Sequence, residues 1–281
     1  MFFSRKKKSI TVRLEEITGD QSSRKIQHLI DTAGNLISRL HKECNAKFNV
    51  VNDNLIININ NVKIYIECEE DLFILNEVFN EHSYGFVNNQ NYVLIDIGLN
   101  IGISALYFSQ NLHIKRIYAF EPVVETYQKC QRNIELNPTV TNIKTYNVGL
   151  GNSDRDDQFT FTEDFKGSVG SIELSDYKKG KSTDLKLADV KIENASTRFS
   201  DIIKANPDEK ILVKMDCEGG EYEIIPNLKE SGILDKVSIF MLEWHNDEFL
   251  KLLHHFDNFN CFYYKNSPTT GMLYATNRNI Q

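Results

Sequence analysis

The stretch VLIDIGLNIG, residues 93–102, decides how the rest of the chain is read. Val93, Leu94 and Ile95 run apolar into Asp96, and Gly98 and Gly102 follow with Asn100 between them. A short apolar run bounded by glycine reads as a buried strand. A strand that turns through glycines into a helix presents the free N–H groups of that helix start, which can receive an anion. With no Cβ, Gly98 and Gly102 allow a ligand close to the backbone. The spacing therefore predicts a strand ending at the acid, a tight turn over 98–102 and a helix over Ile103–Ser109.

Downstream the same unit recurs. RIYAF precedes a predicted helix over Val123–Asn137, and NIKTYNV ends a third strand. ILVKMD precedes a helix over Glu221–Lys229, VSIFMLEW precedes one over Asp247–Phe256, and CFYY and GMLYA close the chain as an antiparallel pair. Segment 158–195 reads as polar and irregular, with a strand-like QFTFTE near its start. Its Lys166, Gly167, Lys178, Lys179 and Lys181 are expected in a lid over the acceptor. Alternating strands and helices with apolar strands predict an α/β fold: a Rossmann-like open, mostly parallel sheet with helices on both faces and an antiparallel last strand. Such sheets bind ligands at the carboxyl ends of their strands, beside the switch point.

Upstream, residues 22–43 read as an amphipathic helix, and NLIININNVKIYIE as a hairpin turning at Asn60-Asn61. A helix from about Glu70 to Asn80 leads to the decisive strand. The expected division is an N-terminal helix and β-hairpin extension over 1–88 and a Rossmann-like domain over 89–281. The extension is a candidate dimer contact.

The 281 residues carry a formal net charge of −7, which argues against a nucleic-acid partner. Five scattered cysteines without a C-x-x-C pair suggest neither a disulfide framework nor a zinc site, and point to a cytoplasmic setting. No apolar run has the length of a membrane span. Basic Arg5, Lys6, Lys7 and Lys8 beside two phenylalanines offer at most a weak peripheral contact with an anionic membrane.

Glu121, at the end of IYAFEP, is placed to accept both hydroxyls of a ribose. A dinucleotide fingerprint needs G-x-G-x-x-G to admit a pyrophosphate, and Asn100 stands where its second glycine belongs. An acid before the turn suits a ligand bearing an ammonium group. S-adenosylmethionine, with its ammonium, carboxylate, ribose and adenine, fits these parts.

KMDCEGGE places Asp216 and Glu218 on one face if the strand continues. Glu221 falls in the first turn of the next helix, where favourable pairing with the helix N-terminus and a site role are equally open. Glu243 and His245 share a face at the end of the following strand. A neighbouring carboxylate makes His245 the natural general base. The same acids and histidine suit a hard divalent ion, a weaker alternative to a site without metal. Tyr177 and Lys181 match a dehydrogenase pair in spacing only, since Gly180 interrupts the helix they need.

DIGLNIG, AFEP, NVGLGNSD, STRFSDII, LVKMDCEGGEYEII and FMLEWH, in this order, resemble the FkbM family of S-adenosylmethionine-dependent methyltransferases over roughly residues 72–245. Leu99 stands where Ala is common, and Thr197-Arg198-Phe199 where a Leu-Asp pair is more usual. The resemblance implies a class I methyltransferase fold and transfer of a methyl group to a hydroxyl of a sugar, glycan or similar small molecule. With the residue reading above, Asp96, Gly98, Asn100, Gly102, Glu121 and Asp216 are expected at the cofactor. Asp216 also joins Glu218, Glu243 and His245 in the catalytic acceptor pocket. The rival readings are an NAD-dependent oxidoreductase and a non-catalytic cofactor-binding module.

Overall fold

In the computed structural model, which describes residues 24–52, 54–86, 89–161, 170–171 and 186–280, the chain opens with helix α1 (Arg24–Cys44). A three-stranded antiparallel sheet follows: β1 (Lys47–Val51), β2 (Asn54–Ile59) and β3 (Val62–Ile66). Asn60 and Asn61 both take positive φ, 47° and 69°, as a tight hairpin turn requires. Strand β1 was not anticipated; Phe48 is its one buried side chain, so the alternation barely shows in the sequence.

Next come α2 (Glu69–Phe79), β4 (Tyr92–Ile97), α3 (Ile103–Phe108), β5 (Ile114–Phe120), α4 (Val124–Glu135) and β6 (Ile143–Tyr146). Short β7 (Gly149–Gly151) leads to β8 (Arg155–Phe161), β9 (Gly170–Ser171), β10 (Lys186–Asn194) and α5 (Ala195–Ala205). The chain ends with β11 (Lys210–Met215), α6 (Glu221–Glu230), β12 (Ile239–His245), α7 (Phe249–Leu253), β13 (Phe259–Lys265) and β14 (Thr270–Asn277).

Seven strands form the central sheet in the order β13-β14-β12-β11-β4-β5-β6. Strands β12 to β6 run parallel, while β14 is antiparallel to both its neighbours. Chain order reverses between β4 and β11, which makes the gap beyond their carboxyl ends the switch point. Every residue of β4 is buried, as a central parallel strand requires. One sheet face shares its core with the N-terminal segment: Leu94, Ile117 and Leu212 pack in one cluster with Ile37, Ile57 and Leu72. The other face packs Val93, Val213 and Phe240 with Ile224 and Ile225 of α6.

Segment 158–195 departs from expectation. Strands β8 and β10 pair antiparallel from Arg155 to Phe161, and with β7 and β9 they form a separate four-stranded sheet. Ala188, Val190 and Ile192 point inward from β10 between exposed charges, an alternation masked by the polar composition. Residues 162–169 and 172–185 lie outside the described residues, and with them the expected lid lysines and the Tyr177–Lys181 pair. Helix α5 was also unforeseen; Asn194 caps it, its side-chain oxygen accepting the Thr197 N–H at 3.0 Å. Helix α7 is shorter than the predicted 247–256, because Asn246 (φ 70°) and Glu248 are not helical.

Among the described residues no helix is long and apolar enough to cross a membrane. All five cysteines are unpaired.

Gly98 has φ +80°, and a Cβ there would lie 1.7 Å from the Asp216 carbonyl oxygen. Its glycine is imposed by the end of β11. Gly232 has φ +71° with open space around it. Gly232→Ala should therefore cost only the left-handed backbone penalty, about 1–2 kcal/mol. Gly98→Ala should cost more than about 3 kcal/mol, since backbone must also move. Equal losses in thermal denaturation would contradict this account.

Glu67 ties the hairpin to α4 through Lys129 and Arg132. Burial opposes its charge, yet the two cations outweigh burial and hold it down at about 2. Since the folded value lies below the ordinary one, its stabilisation is full above about pH 4–5 and is lost as pH falls toward 2. Glu67→Gln should cost about 1 kcal/mol at neutral pH, where solvent screens part of the pairing, and progressively less as pH falls to 2. Urea melts across that range measure both.

Candidate active site

Asp96 and Lys214 face each other in register across β4 and β11. Lys214 is 3% exposed and Asp96 is fully enclosed, with their charges 3.3 Å apart. Lys214 Nζ also donates to the Gly98 carbonyl at 2.7 Å and lies 3.9 Å from Asp216 Oδ2. Ser104 donates its hydroxyl to the other Asp96 oxygen at 2.7 Å. Burial works against the ammonium, but Asp96 and Asp216 outweigh it and keep Lys214 charged. Sequence reasoning passed over Lys214, although a lone lysine inside ILVKM, two residues before an acid, was a visible signal. Asp96 Oδ1 accepts no hydrogen bond, so these partners do not use up the acceptor sites of the carboxylate expected from the sequence to face a ligand amine.

Beyond Asp96 the turn closes on β5. The N–H groups of Gly98 and Leu99 both donate to the Phe120 carbonyl, at 3.2 and 3.0 Å. Asn100 is left-handed (φ 53°) and its N–H donates to Glu121 Oε2 at 3.0 Å. Val123 N–H donates to Glu121 Oε1 at 3.0 Å. Burial pushes Glu121 up to about 7, with these two N–H bonds pulling the other way. The glycines serve packing more than was read from the sequence. Gly98 clears the Asp216 backbone, and a Cβ on Gly102 would sit 2.9 Å from Cys130 Sγ of α4.

The acids of KMDCEGGE meet, but not along a strand. Strand β11 stops at Met215, and Glu218 takes φ +53° ahead of Gly219 at +107°. A left-handed non-glycine residue costs roughly 1–3 kcal/mol and concentrates at functional sites. This turn swings Glu218 back so that one ligand-type atom each of Asp216, Glu218 and His245 lies within 4.8 Å of the others. His245 Nε2 stands 3.9 Å from Asp216 Oδ1 and 3.9 Å from Glu218 Oε2.

Behind them lies Glu221, fully enclosed in the first turn of α6. Glu221 Oε1 accepts the His245 backbone N–H at 2.7 Å and sits 3.2 Å from His245 Nδ1. Its other oxygen accepts the Gly219 N–H at 2.9 Å. One carboxylate thus joins the α6 start, the Glu218 turn and the β12 end. Burial opposes charge on His245, but the Glu221 hydrogen bond and the charges of Glu221, Glu218 and Asp216 prevail and raise it to about 10.

Two further groups come from the N-terminal segment, where the sequence offered no site signal. Glu77 of α2 is pushed up to about 7 by burial and by Asp216. Tyr84 is 4% exposed, its ring 5.7 Å from Lys214 Nζ. Ser83 holds this segment in place, accepting the Tyr274 hydroxyl at its carbonyl at 2.6 Å and donating its N–H to the Glu77 carbonyl at 3.2 Å. Glu243, on β12, is raised to about 8 by burial and by Asp216. The crest of the sheet therefore combines a closed, charge-paired base with a half-buried mouth of carboxylates and one imidazole. Such a mouth accepts hydroxyl donors or a cation, and a proton.

Residues 96–261 match the family described as the methyltransferase FkbM domain. The chain is 29% identical over 181 residues to methyltransferase sdnD of Sordaria araneosa, covering 57% of this chain and 70% of that protein. It is 27% identical over 187 residues to methyltransferase 1 of Beauveria bassiana strain ARSEF 2860, covering 62% and 75%. A crystal structure of methyltransferase FkbM from Methylobacillus flagellatus overlaps 72% of this chain at 15% identity and a TM-score of 0.44. The aligned part is 47% of that longer chain, and the superposition is too loose to bear on the site.

Lys214→Met strands the Asp96 carboxylate in the sheet and should cost about 3–5 kcal/mol. Adding Asp96→Asn removes the stranded charge and should restore much of that loss. Urea denaturation of the single and double variants tests this; a double variant no more stable than Lys214→Met would refute the pairing as the cause.

Proposed function

The chain belongs to the FkbM methyltransferase family and is an S-adenosylmethionine-dependent methyltransferase, and from that premise we propose that it methylates a hydroxyl of a sugar, glycan or similar small molecule. Family membership sets aside the oxidoreductase and the non-catalytic module. The observation that carries the acceptor reading is the gathering of Asp216, Glu218 and His245 within 4.8 Å at the crest beside the glycine turn. Half-buried carboxylates and an imidazole match a polyhydroxyl acceptor, since each hydroxyl donates one hydrogen bond and offers lone pairs for another. A net charge of −7 disfavours a nucleic acid.

In this reading Glu121 holds the ribose hydroxyls with the lone pairs that its two N–H bonds leave free. Gly98, Asn100 and Gly102 shape the turn over which the cofactor lies. Asp96 and Asp216 flank Lys214 towards its amino-acid end. Methyl transfer from a sulfonium is an in-line displacement, so orientation supplies most of the rate. Asp216, Glu218 and Glu243 position the acceptor and receive its proton, together with His245. The ring accepts a proton only in its neutral form; charged, it donates to an acceptor oxygen. Glu221 acts through His245 as a positioning residue. Five unpaired thiols suit the cytoplasm.

A screen of nucleotide sugars and oligosaccharides for methyl uptake, read by mass spectrometry, tests the acceptor class. With an acceptor in hand, His245→Ala should lower kcat at least about 100-fold, the scale of one acid–base group. Calorimetry should find its S-adenosylmethionine affinity within a few-fold of the parent. Undiminished turnover would remove His245 from the chemistry, and uptake by none of the hydroxyl compounds would count against the acceptor class.

A further inference from the structure

Three side chains at the crest have the identity and spacing of metal ligands. Asp216 follows β11, Glu218 is swung inward by its left-handed backbone, and His245 ends β12. His245 Nε2 is 3.9 Å from an oxygen of each acid, beyond hydrogen-bond range. An octahedral ion with bonds near 2.1 Å sets its adjacent ligands roughly 3 Å apart, so each of these two gaps closes by about 1 Å when the set is filled. On its other nitrogen the ring is held by the enclosed Glu221 at 3.2 Å. A carboxylate behind a ligating histidine fixes its tautomer and raises its basicity.

An independent observation points into the same space. Tyr84 is 4% exposed, yet its hydroxyl has no hydrogen-bond partner among the described residues. Among charged groups, Asp216 and then Glu243 act on it most strongly. The Glu243 carboxylate likewise has no hydrogen-bond partner among the described residues, although burial and Asp216 act on it together. Around this space stand Asp216, Glu218, Glu221, Glu243 and Glu77, faced by the cations of Lys214 and His245 alone among the described residues.

We propose that Asp216, Glu218 and His245 bind one divalent cation, of the manganese or magnesium type, which receives the acceptor hydroxyl. Two carboxylates and an imidazole suit Mn²⁺ better than Ca²⁺, which takes oxygen ligands. Ligation needs the neutral ring, so the ion replaces the imidazole proton. Binding of the ion stands alone; its task rests on the methyl-transfer reading above. In that task the ion draws electron density from the hydroxyl oxygen, whose proton leaves to a site carboxylate. That oxygen forms the new C–O bond as the methyl–sulfur bond breaks, and the sulfur keeps the electron pair as a neutral thioether.

The test uses the full chain, stripped with a chelator and titrated with Mn²⁺ while electron paramagnetic resonance reads the free ion. No cofactor or acceptor is added. The expected result is one Mn²⁺ per chain. His245→Ala and Glu218→Gln should each weaken binding at least tenfold, and exposed Glu135→Gln should leave it unchanged. Circular dichroism melts confirm that each variant folds; if His245→Ala does not, Asp216→Asn takes its place. Substoichiometric binding, or binding indifferent to the site variants, overturns the site. Once an acceptor is known, full turnover of the stripped enzyme overturns the ion's task and leaves the methyl-transfer reading intact. Intact Mn²⁺ binding with no methyl transfer to any hydroxyl compound sinks that reading and spares the site.

Discussion

A lysine ammonium buried between parallel strands must be paired or its desolvation goes uncompensated, and the crest of this sheet is arranged around that requirement. Lys214 reaches Asp96 on the neighbouring strand, the Gly98 carbonyl in the turn and the edge of the Asp216 carboxylate. These contacts lock the end of β4 to the end of β11, the two strands between which chain order reverses. Gly98 packs so tightly against the Asp216 backbone that no Cβ fits between the turn and the end of β11. The glycine turn and the acids beyond β11 are thus built on one set of contacts, and in the proposed in-line methyl transfer that shared frame would orient the two reactants.

The crest acids divide by exposure. Asp96 and Glu221 are enclosed, and each spends its charge on named protein partners. Glu121 bonds to two backbone N–H groups but keeps spare lone pairs at the turn. Asp216, Glu218 and Glu243 are half-buried and open towards the cleft. The enclosed carboxylates have their charge met by protein groups, and the half-buried ones are those proposed to meet a ligand. Glu221 shows how economical the first kind is, since it fixes His245 by backbone and ring at once while closing the strained turn at Glu218 and Gly219.

The N-terminal segment shares its apolar core with one sheet face and delivers Glu77 and Tyr84 to the cleft. Neither residue carried a motif, because a site built from distant segments leaves no spacing in the sequence. Lys214 was legible in principle: a charge within a buried strand needs a partner, and Asp96 was already in view. Strand β8 showed only in its QFTF end, β10 was hidden by its charged outward residues, and Glu218 was misplaced because strand periodicity was carried past the point where the strand ends.

By itself the sequence determined the strand–helix alternation of the parallel sheet, the glycine turn after β4 and the residue types at each strand end. Apolar periodicity and glycine punctuation are local properties, dictated by the burial each strand must achieve. Only the tertiary structure decided which acids face one another, which are sealed by a partner and why Gly98 has to be glycine. Those outcomes depend on register between strands more than a hundred residues apart, where Lys214 meets Asp96, and on a left-handed residue that turns Glu218 towards His245. No pairwise distance of that kind is written in the order of residues along the chain.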